Sequence, residues 1–98
     1  MKSLERIIME PMPTLAVFVH AGEQDEAEVN QLLDELRAKY GDRAHIERAD
    51  ASRSGEMKVS YKLKEYPTWI LYKQGEELMR ESGRKTFAEL EDMLIRAL

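Results

Sequence analysis

The stretch that decides the fold is YPTWILY, at residues 66–72. Its aromatic and branched side chains form a continuous apolar run of the kind typical of a buried strand. Proline has no N–H to donate to a sheet ladder, so Pro67 predicts that the strand begins at residue 68. A peptide bond that precedes proline also adopts the cis form at low cost. The Tyr66-Pro67 step is therefore expected to mark where one strand of a sheet begins.

A βαβ unit is predicted N-terminal to this strand. Residues 14–19 form a second continuous apolar run, which indicates a strand at 14–20 that is buried on both faces. Residues 23–40 repeat apolar side chains at helical spacing, and Gly41 ends that helix. Residues 44–49 alternate apolar and polar side chains. Because a strand–helix–strand crossover is right-handed, the strands at 14–20 and 44–49 are expected to be parallel.

The strand at 44–49 carries several charges, which are common on sheet edges because they discourage aggregation. His45, on its polar face, is expected to be an exposed surface histidine. At the other side of the sheet, Gln74-Gly75 predicts a two-residue hairpin turn, so the strand at 76–82 should run antiparallel to the YPTWILY strand. Further helices are predicted at 3–9, at 56–63 and after a capping box at 86–89.

Composition limits the function classes. The chain has 98 residues, no cysteine and a net charge of −4, so one domain at 1–98 is expected, without disulfides or thiol chemistry. Basic residues such as Lys58, Lys62 and Lys64 are interleaved with acidic ones, which argues against nucleic acid as a partner. No apolar stretch approaches the roughly 20 residues of a membrane span. No signal-peptide core is recognisable near the start, so a cytoplasmic location is expected.

The order α, β, α, β, α, β, β, α resembles the thioredoxin family, and local sequence words agree with it. These words are Leu33-Asp34-Glu35-Leu36 on the long helix, Tyr66-Pro67-Thr68 before the third strand, Lys73-Gln74-Gly75-Glu76 at the hairpin and Gly83 after the last strand. The resemblance is strongest over 14–98. It implies a thioredoxin-like α/β fold with a cis bond at Pro67, no counterpart of the first thioredoxin strand, and a central four-stranded mixed sheet flanked by helices. The strand order that it implies is 44–49, 14–20, 68–73, 76–82.

The redox motif of that family is absent. In thioredoxins a Cys-x-x-Cys pair lies at the start of the long helix, where the positive helix end lowers the thiol pKa. The register through Leu33 places that motif on Glu23-Gln24-Asp25-Glu26. A carboxylate cannot replace a thiolate, because the intermediate of disulfide exchange is a mixed disulfide. The sequence therefore predicts no disulfide reductase activity and no catalytic residue.

Two further positions of the family's machinery are replaced, with Val17 in place of a buried acid and Gln31 in place of a helix-kinking proline. The carboxylates at the helix start complement the helix dipole by about 0.3–1 kcal/mol each. They are Glu23, Asp25, Glu26 and Glu28. With His20 they form the one oxygen-rich group that would suit a divalent cation, but their spacing matches no ligand motif. No metal and no cofactor is therefore expected, and an anionic ligand such as glutathione would be repelled.

The hypothesis that remains is a binding module for a protein or peptide segment, in a groove beside the proline. The expected contact residues are Gly22, Glu23, Tyr66, Pro67, Gly83 and Arg84. Since Pro67 has no N–H, Tyr66 is expected to pair with an extended peptide through its own backbone, and the acidic rim favours a basic or neutral partner. Trp69, well inside the strand, is expected to be a packing residue. Two alternatives stay open: a non-catalytic or chaperone-like subunit of a redox enzyme, and self-association through the strand at 44–49, although a monomer is expected.

Overall fold

The computed structural model describes residues 3–22 and 26–98. In this part the elements follow the order that the sequence predicts, with a short 3₁₀ turn added. They are α1 (Leu4–Ile7), β1 (Thr14–Val19), α2 (Glu26–Tyr40), β2 (His45–Asp50), the 3₁₀ turn (Ala51–Arg53), α3 (Gly55–Ser60), β3 (Thr68–Lys73), β4 (Glu76–Ser82) and α4 (Phe87–Ile95). No helix of these two ranges is long and apolar enough to cross a bilayer.

The four strands form one mixed sheet in the order β2-β1-β3-β4, which confirms the predicted order. β1 runs parallel to β2 and antiparallel to β3, and β3 runs antiparallel to β4. Every residue of β1 is buried, because β1 is a central strand with side chains packed on both of its faces. Pro67 directly precedes β3, where its missing N–H removes no hydrogen bond from the ladder.

Alternate residues of the central strands pack into two separate clusters. On one face of the sheet, Leu15, Val17 and Trp69 pack against the apolar sides of α2 and α4. On the other face, Phe18 and Ile70 belong to a smaller cluster, against which α1, α3 and the loop before Pro67 pack. Trp69 is fully buried, as expected for a packing residue. Packing on both faces of the sheet holds the end of β1 and the start of β3 in place. The candidate site lies beside these two strand ends.

The predicted hairpin turn is confirmed and has a second function in packing. Gln74 and Gly75 both have positive φ, 51° and 84°, as a two-residue hairpin turn of type I′ requires. The segment after α1 caps this turn: the N–H of Gly75 donates to the carbonyl of Ile8 over 2.7 Å, and the N–H of Gln74 donates to the carbonyl of Glu10 over 3.2 Å. The N-terminal segment is thereby tied to the far end of the hairpin.

The expectation that His45 is an exposed surface histidine is wrong. Its side chain is only 24% exposed, and its Nε2 lies 3.3 Å from Oε1 of Glu10. The physical reason is that the segment after α1 passes beside the start of β2 and covers the ring. Such a contact joins residues 35 positions apart in the chain, which strand patterning alone does not indicate.

Several element bounds differ from those predicted. α1 is shorter than 3–9, and Ser3 occupies its N-cap position without a side-chain hydrogen bond. α3 ends at Ser60 rather than at residue 63, because Lys62 has a φ of 55°, which is incompatible with a continuing helix. The helix predicted over 23–40 is described from Glu26 onward, and its predicted first turn lies outside the described residues. The capping box of α4 is confirmed, with Thr86 and Glu89 bonded reciprocally.

Candidate functional site

The candidate site lies where the end of β1, the start of α2 and the start of β3 meet. The Tyr66-Pro67 peptide bond is cis. The N–H of Gly83 donates to the carbonyl of Pro67 over 2.8 Å, so the residue that follows β4 is held beside the proline. Gly83 has a φ of 92° and Gly22 a φ of 87°, a left-handed conformation that favours glycine. The loop after β1 and the loop after β4 therefore each need a glycine to adopt their backbone conformation, whereas the loop before β3 does not.

A small pocket opens between these loops, and we call it the groove pocket. It is lined by Val19, His20, Glu26, Val29, Arg48, Tyr66 and Pro67. The rings of His20 and Tyr66 face each other with centroids 5.3 Å apart and planes tilted by 54°. Tyr66 is half-buried and packs at the margin of the second apolar cluster. The pocket thus has an aromatic side, an apolar floor and one polar side.

The polar side of the groove pocket is an ion pair. Nη2 of Arg48, from β2, lies 3.0 Å from Oε1 of Glu26, the first described residue of α2. In the register predicted from the sequence, Glu26 corresponds to the last position of the missing Cys-x-x-Cys motif. The next carboxylate along the helix, Glu28, is bound by both Nε and Nη2 of Arg84, each over 3.1 Å. The carboxylates of Glu26 and Glu28, which form the described part of the acidic rim, are therefore partly neutralised by arginines from two other parts of the chain.

Arg48 is the residue of the site that sequence reasoning missed. A sequence signal for it was present. Ile46 and Arg48 are two residues apart and therefore lie on the same face of β2, a parallel strand whose carboxyl end is adjacent to that of β1. In open α/β sheets, ligands bind outside the carboxyl ends of such strands. Strand alternation and the position of the helix start together indicate that Arg48 lies near Glu26.

The loop between β1 and α2 is supported from the end of β2. The hydroxyl and the backbone N–H of Ser52 both donate to the Asp50 carboxylate. These hydrogen bonds, with a smaller contribution from the backbone N–H of Ala21, hold the pKa of Asp50 below its usual range. Because Ala21 belongs to the loop that carries Gly22, the ionised Asp50 helps to hold that loop against the sheet.

The predicted contact residues are only partly brought together. Tyr66 and Pro67 line the groove pocket, and Gly83 is joined to Pro67 by its hydrogen bond. Arg84 does not line this pocket but borders a second cavity on the other side of Pro67. Gly22 lies two residues beyond His20 in the adjoining loop. Glu23, with Gln24 and Asp25, lies outside the described residues.

No metal centre is found in the described part of the chain, where no group of three or more histidine and carboxylate side chains converges. His20 is exposed, and its Nδ1 lies 3.2 Å from the carbonyl of its neighbour Ala21. Val17 is fully buried among apolar side chains, and Gln31 is exposed and bonded to Glu35. The position that the resemblance aligns with the buried acid of a thioredoxin therefore holds a side chain that does not ionise.

The second cavity, on the far side of Pro67, is lined by Glu28, Val29, Leu32, Pro67, Trp69, Arg84 and Lys85. Lys85 forms an ion pair with Glu81 over 3.1 Å. Nε1 of Trp69 is buried and has no hydrogen-bond partner among the described residues. Leaving such a donor unpaired costs about 1–3 kcal/mol. We call this space the Trp69 cavity.

The architecture matches solved thioredoxin structures. A mutant thioredoxin from Halobacterium salinarum superposes with a TM-score of 0.86 at 17% identity, over 96% of this chain and 81% of that chain. A mutant thioredoxin from Entamoeba histolytica gives a TM-score of 0.81 at 22% identity, over 95% of this chain and 89% of that one. A designed protein gives a TM-score of 0.85 at 20% identity, over 95% and 82% of the two chains. No protein-family model and no curated protein sequence matches the chain.

Identities of this size establish the fold and leave the activity to be argued from the site. The sequence contains no cysteine, so no thiolate of this chain is present to attack a disulfide. The absence of the nucleophile and the likeness to thioredoxins together define the chain as a thioredoxin-fold protein that lacks the Cys-x-x-Cys motif.

Proposed function

We propose that this protein is a redox-inactive binding module that holds an extended segment of another protein in the groove beside Tyr66-Pro67. The observation that carries the proposal is the free backbone at Tyr66. Within the described ranges, neither the N–H nor the C=O of Tyr66 has a hydrogen-bond partner. An unpaired donor and acceptor at the start of a strand can pair with an added peptide strand.

The enclosed space of the groove pocket is about the size of one water molecule, so a side chain of that segment would contact its walls and fill it with no more than a methyl-sized group. Its walls are the rings of His20 and Tyr66 and the ring of Pro67, and its floor is formed by Val19 and Val29. Aromatic walls of this kind bury much area at a low cost in side-chain entropy. An extended segment that pairs with Tyr66 would place alternate side chains toward the pocket, because successive strand residues point to opposite sides.

Charge favours a basic or neutral segment over an acidic one. Of the four carboxylates between residues 23 and 28, Glu26 and Glu28 are each paired with one arginine. Glu23 and Asp25 add two further negative charges to the sequence of this loop. The rim therefore has an excess of acidic groups, which attracts cationic segments and repels anionic ligands such as glutathione.

The proposal is tested by capture of partners with the wild-type protein and with two groove variants. Tyr66→Asp replaces the aromatic wall with a short, strongly hydrated side chain, and Gly83→Trp adds bulk beside Pro67. We expect each variant to weaken capture by about tenfold or more, and we expect Tyr66→Phe, which keeps the ring, to capture normally. Thermal unfolding of each variant verifies that it is folded. Capture that is unchanged by both Tyr66→Asp and Gly83→Trp would show that the groove is not the binding site.

The proposal includes a monomeric state, a cytoplasmic location and the absence of enzymatic activity of the protein's own. A second candidate is an adaptor or chaperone-like subunit of a redox enzyme, which the thioredoxin-like shape of the groove favours. Co-purification with a cysteine-bearing partner would identify that role. Disulfide reduction by the pure protein would overturn both candidates, since neither uses a thiol of this chain.

A further inference from the structure

The inner walls of the groove pocket are part of the hydrophobic core. Val19 ends β1, which lies between β2 and β3 in the sheet, and Val29 is a buried residue of α2. Both side chains belong to the cluster that packs the sheet against α2 and α4. Pro67 is held next to them, because its carbonyl accepts a hydrogen bond from the N–H of Gly83. These walls cannot move apart without disturbing the packing of the core.

The outer side of the groove pocket is formed by side chains that contact one another in pairs. The rings of His20 and Tyr66 have centroids 5.3 Å apart, and Nη2 of Arg48 lies 3.0 Å from Oε1 of Glu26. His20 and Glu26 are exposed, and both line the pocket. The pocket is therefore open to solvent on this side, where a ligand can reach it.

The dimensions of the groove pocket select among side chains by size. The enclosed space is about the size of one water molecule, which is also about the size of a methyl group. A methyl group on the apolar floor of Val19 and Val29 would be removed from water, which favours binding. Glycine would leave this space unfilled. A larger side chain would have to push apart walls that the core holds in place, and such overpacking is unfavourable.

We propose that the groove pocket is a specificity subsite for alanine, in which the bound segment places one alanine methyl group beside Tyr66 and Pro67. This inference rests on the proposed function and names the class of segment that the groove binds. That class is an extended, basic or neutral segment with alanine at one position. The neighbouring positions are free to vary, because successive side chains of an extended segment point to opposite sides.

The test uses capped peptides of lysine and threonine that differ only in their central residue, which is glycine, alanine, valine or leucine. Lysine and threonine side chains are larger than a methyl group, so the central residue alone can occupy the pocket. Affinity is measured by titration, followed through the backbone NMR signals of Tyr66. We expect the alanine peptide to bind about threefold to fivefold more tightly than the glycine peptide. We expect it to bind about tenfold more tightly than the leucine peptide.

Two variants that enlarge the pocket test whether its walls cause this order, since glycine and alanine also differ in backbone freedom. Val19→Ala removes two methyl groups from the floor, and His20→Ala removes a ring from the exposed side. We expect each variant to bind the valine peptide at least as tightly as the alanine peptide, which reverses the wild-type order. Val59→Ala makes the same change as Val19→Ala on an exposed part of α3, away from the pocket, and should keep the wild-type order.

Thermal unfolding verifies that Val19→Ala is folded, and His20→Ala, which changes an exposed side chain, decides the test by itself if it is not. The outcomes separate this inference from the proposed function. Peptides that all shift the Tyr66 signals with equal affinity overturn the alanine subsite alone. An order that the folded pocket variants leave unchanged also overturns the subsite, because the selection then arises elsewhere. A series in which no peptide shifts the Tyr66 signals overturns the proposed function and the subsite with it.

Discussion

At the scale of single residues, an ion pair between α2 and β2 lies beside the groove pocket. The predicted register aligns Glu26 with the last position of the missing motif, and Nη2 of Arg48 lies 3.0 Å from its carboxylate. The register of the long helix was enough to predict the position of Glu26. The pairing with Arg48 was not predicted, because it depends on how α2 and β2 are placed in space. Both charged side chains line the groove pocket, where under the proposed function they would act on a bound segment.

Arg48→Ala should strengthen the binding of a basic peptide, because it leaves the Glu26 carboxylate without its counter-charge. Exposed ion pairs are worth about 0.2–1 kcal/mol, so the expected gain is about twofold to fivefold at low salt. The gain should shrink at high salt, where exposed charges are screened. The measurement is a peptide titration at two salt concentrations. Glu26→Gln is the matched control and should weaken the same peptide; equal affinities of both variants would contradict this account of the rim.

At the scale of elements, the free edge of β2 is protected by a side chain. Nε and Nη2 of Arg37, from α2, both donate to the carbonyl of Ile46, over 3.1 and 3.0 Å. The N–H of His45 points to the other side of the strand, toward the carbonyl of Pro13. The backbone carbonyl of the next residue, Ile46, therefore points away from β1. A backbone acceptor that is already occupied is a poor template for another strand. The charged pattern predicted the edge, but not the arginine that covers it.

Arg37→Ala should make the protein self-associate, because it exposes the Ile46 carbonyl on an open sheet edge. We expect the wild-type protein to sediment as a monomer and the variant to form dimers as its concentration rises. Analytical ultracentrifugation measures this directly. Arg53→Ala, which removes an exposed arginine outside the sheet, is the control and should remain monomeric. A variant that stays monomeric at high concentration would show that Arg37 is not what keeps the edge unpaired.

The hairpin between β3 and β4 depends on Gly75 for two reasons. Its φ is 84°, and a Cβ placed there would lie 2.5 Å from Sδ of Met9. Gly75→Ala should therefore lower the free energy of unfolding by about 1–2 kcal/mol from backbone strain alone, plus the cost of moving Met9. Gly55→Ala, where a Cβ meets nothing within 4 Å, is the control and should be neutral or slightly stabilising. Chemical denaturation compares them, and equal effects would contradict the assigned role of the turn.

At the scale of the whole molecule, the fold was predictable because several independent signals agree. The apolar runs of β1 and β3, the turn at Gln74-Gly75 and the capping box of α4 each predict one element, and the resemblance of their order to the thioredoxin family supplied the strand order. Contacts between distant segments were not predictable in the same way. The cover of His45 by Glu10 and the unpaired indole of Trp69 depend on side-chain packing in three dimensions, which local patterns do not encode.

Acid should destabilise the protein through a contact between α2 and α4. Hydrogen bonds from Lys39 and then Tyr40 hold the pKa of Glu91 below its ordinary value of 4.5, and they join the end of α2 to α4. A carboxylate with a lowered pKa stabilises the fold above its unfolded pKa, and this contribution is lost as pH falls through the folded pKa. The melting temperature should therefore fall below about pH 4.5. Glu91→Gln should melt lower at neutral pH but lose less on acidification; parallel curves would contradict this assignment.

The most direct test of the central claim is site-specific photo-crosslinking from the groove. A photoreactive phenylalanine analogue at position 66 keeps an aromatic ring there, and the same analogue at position 59 is the control, since Val59 is 75% exposed on α3, away from the groove pocket. We predict discrete crosslinks from position 66 to extended basic or neutral segments, which Gly83→Trp abolishes. Equal products from both positions, or crosslinks from position 66 that survive Gly83→Trp, would contradict a binding groove at Tyr66-Pro67.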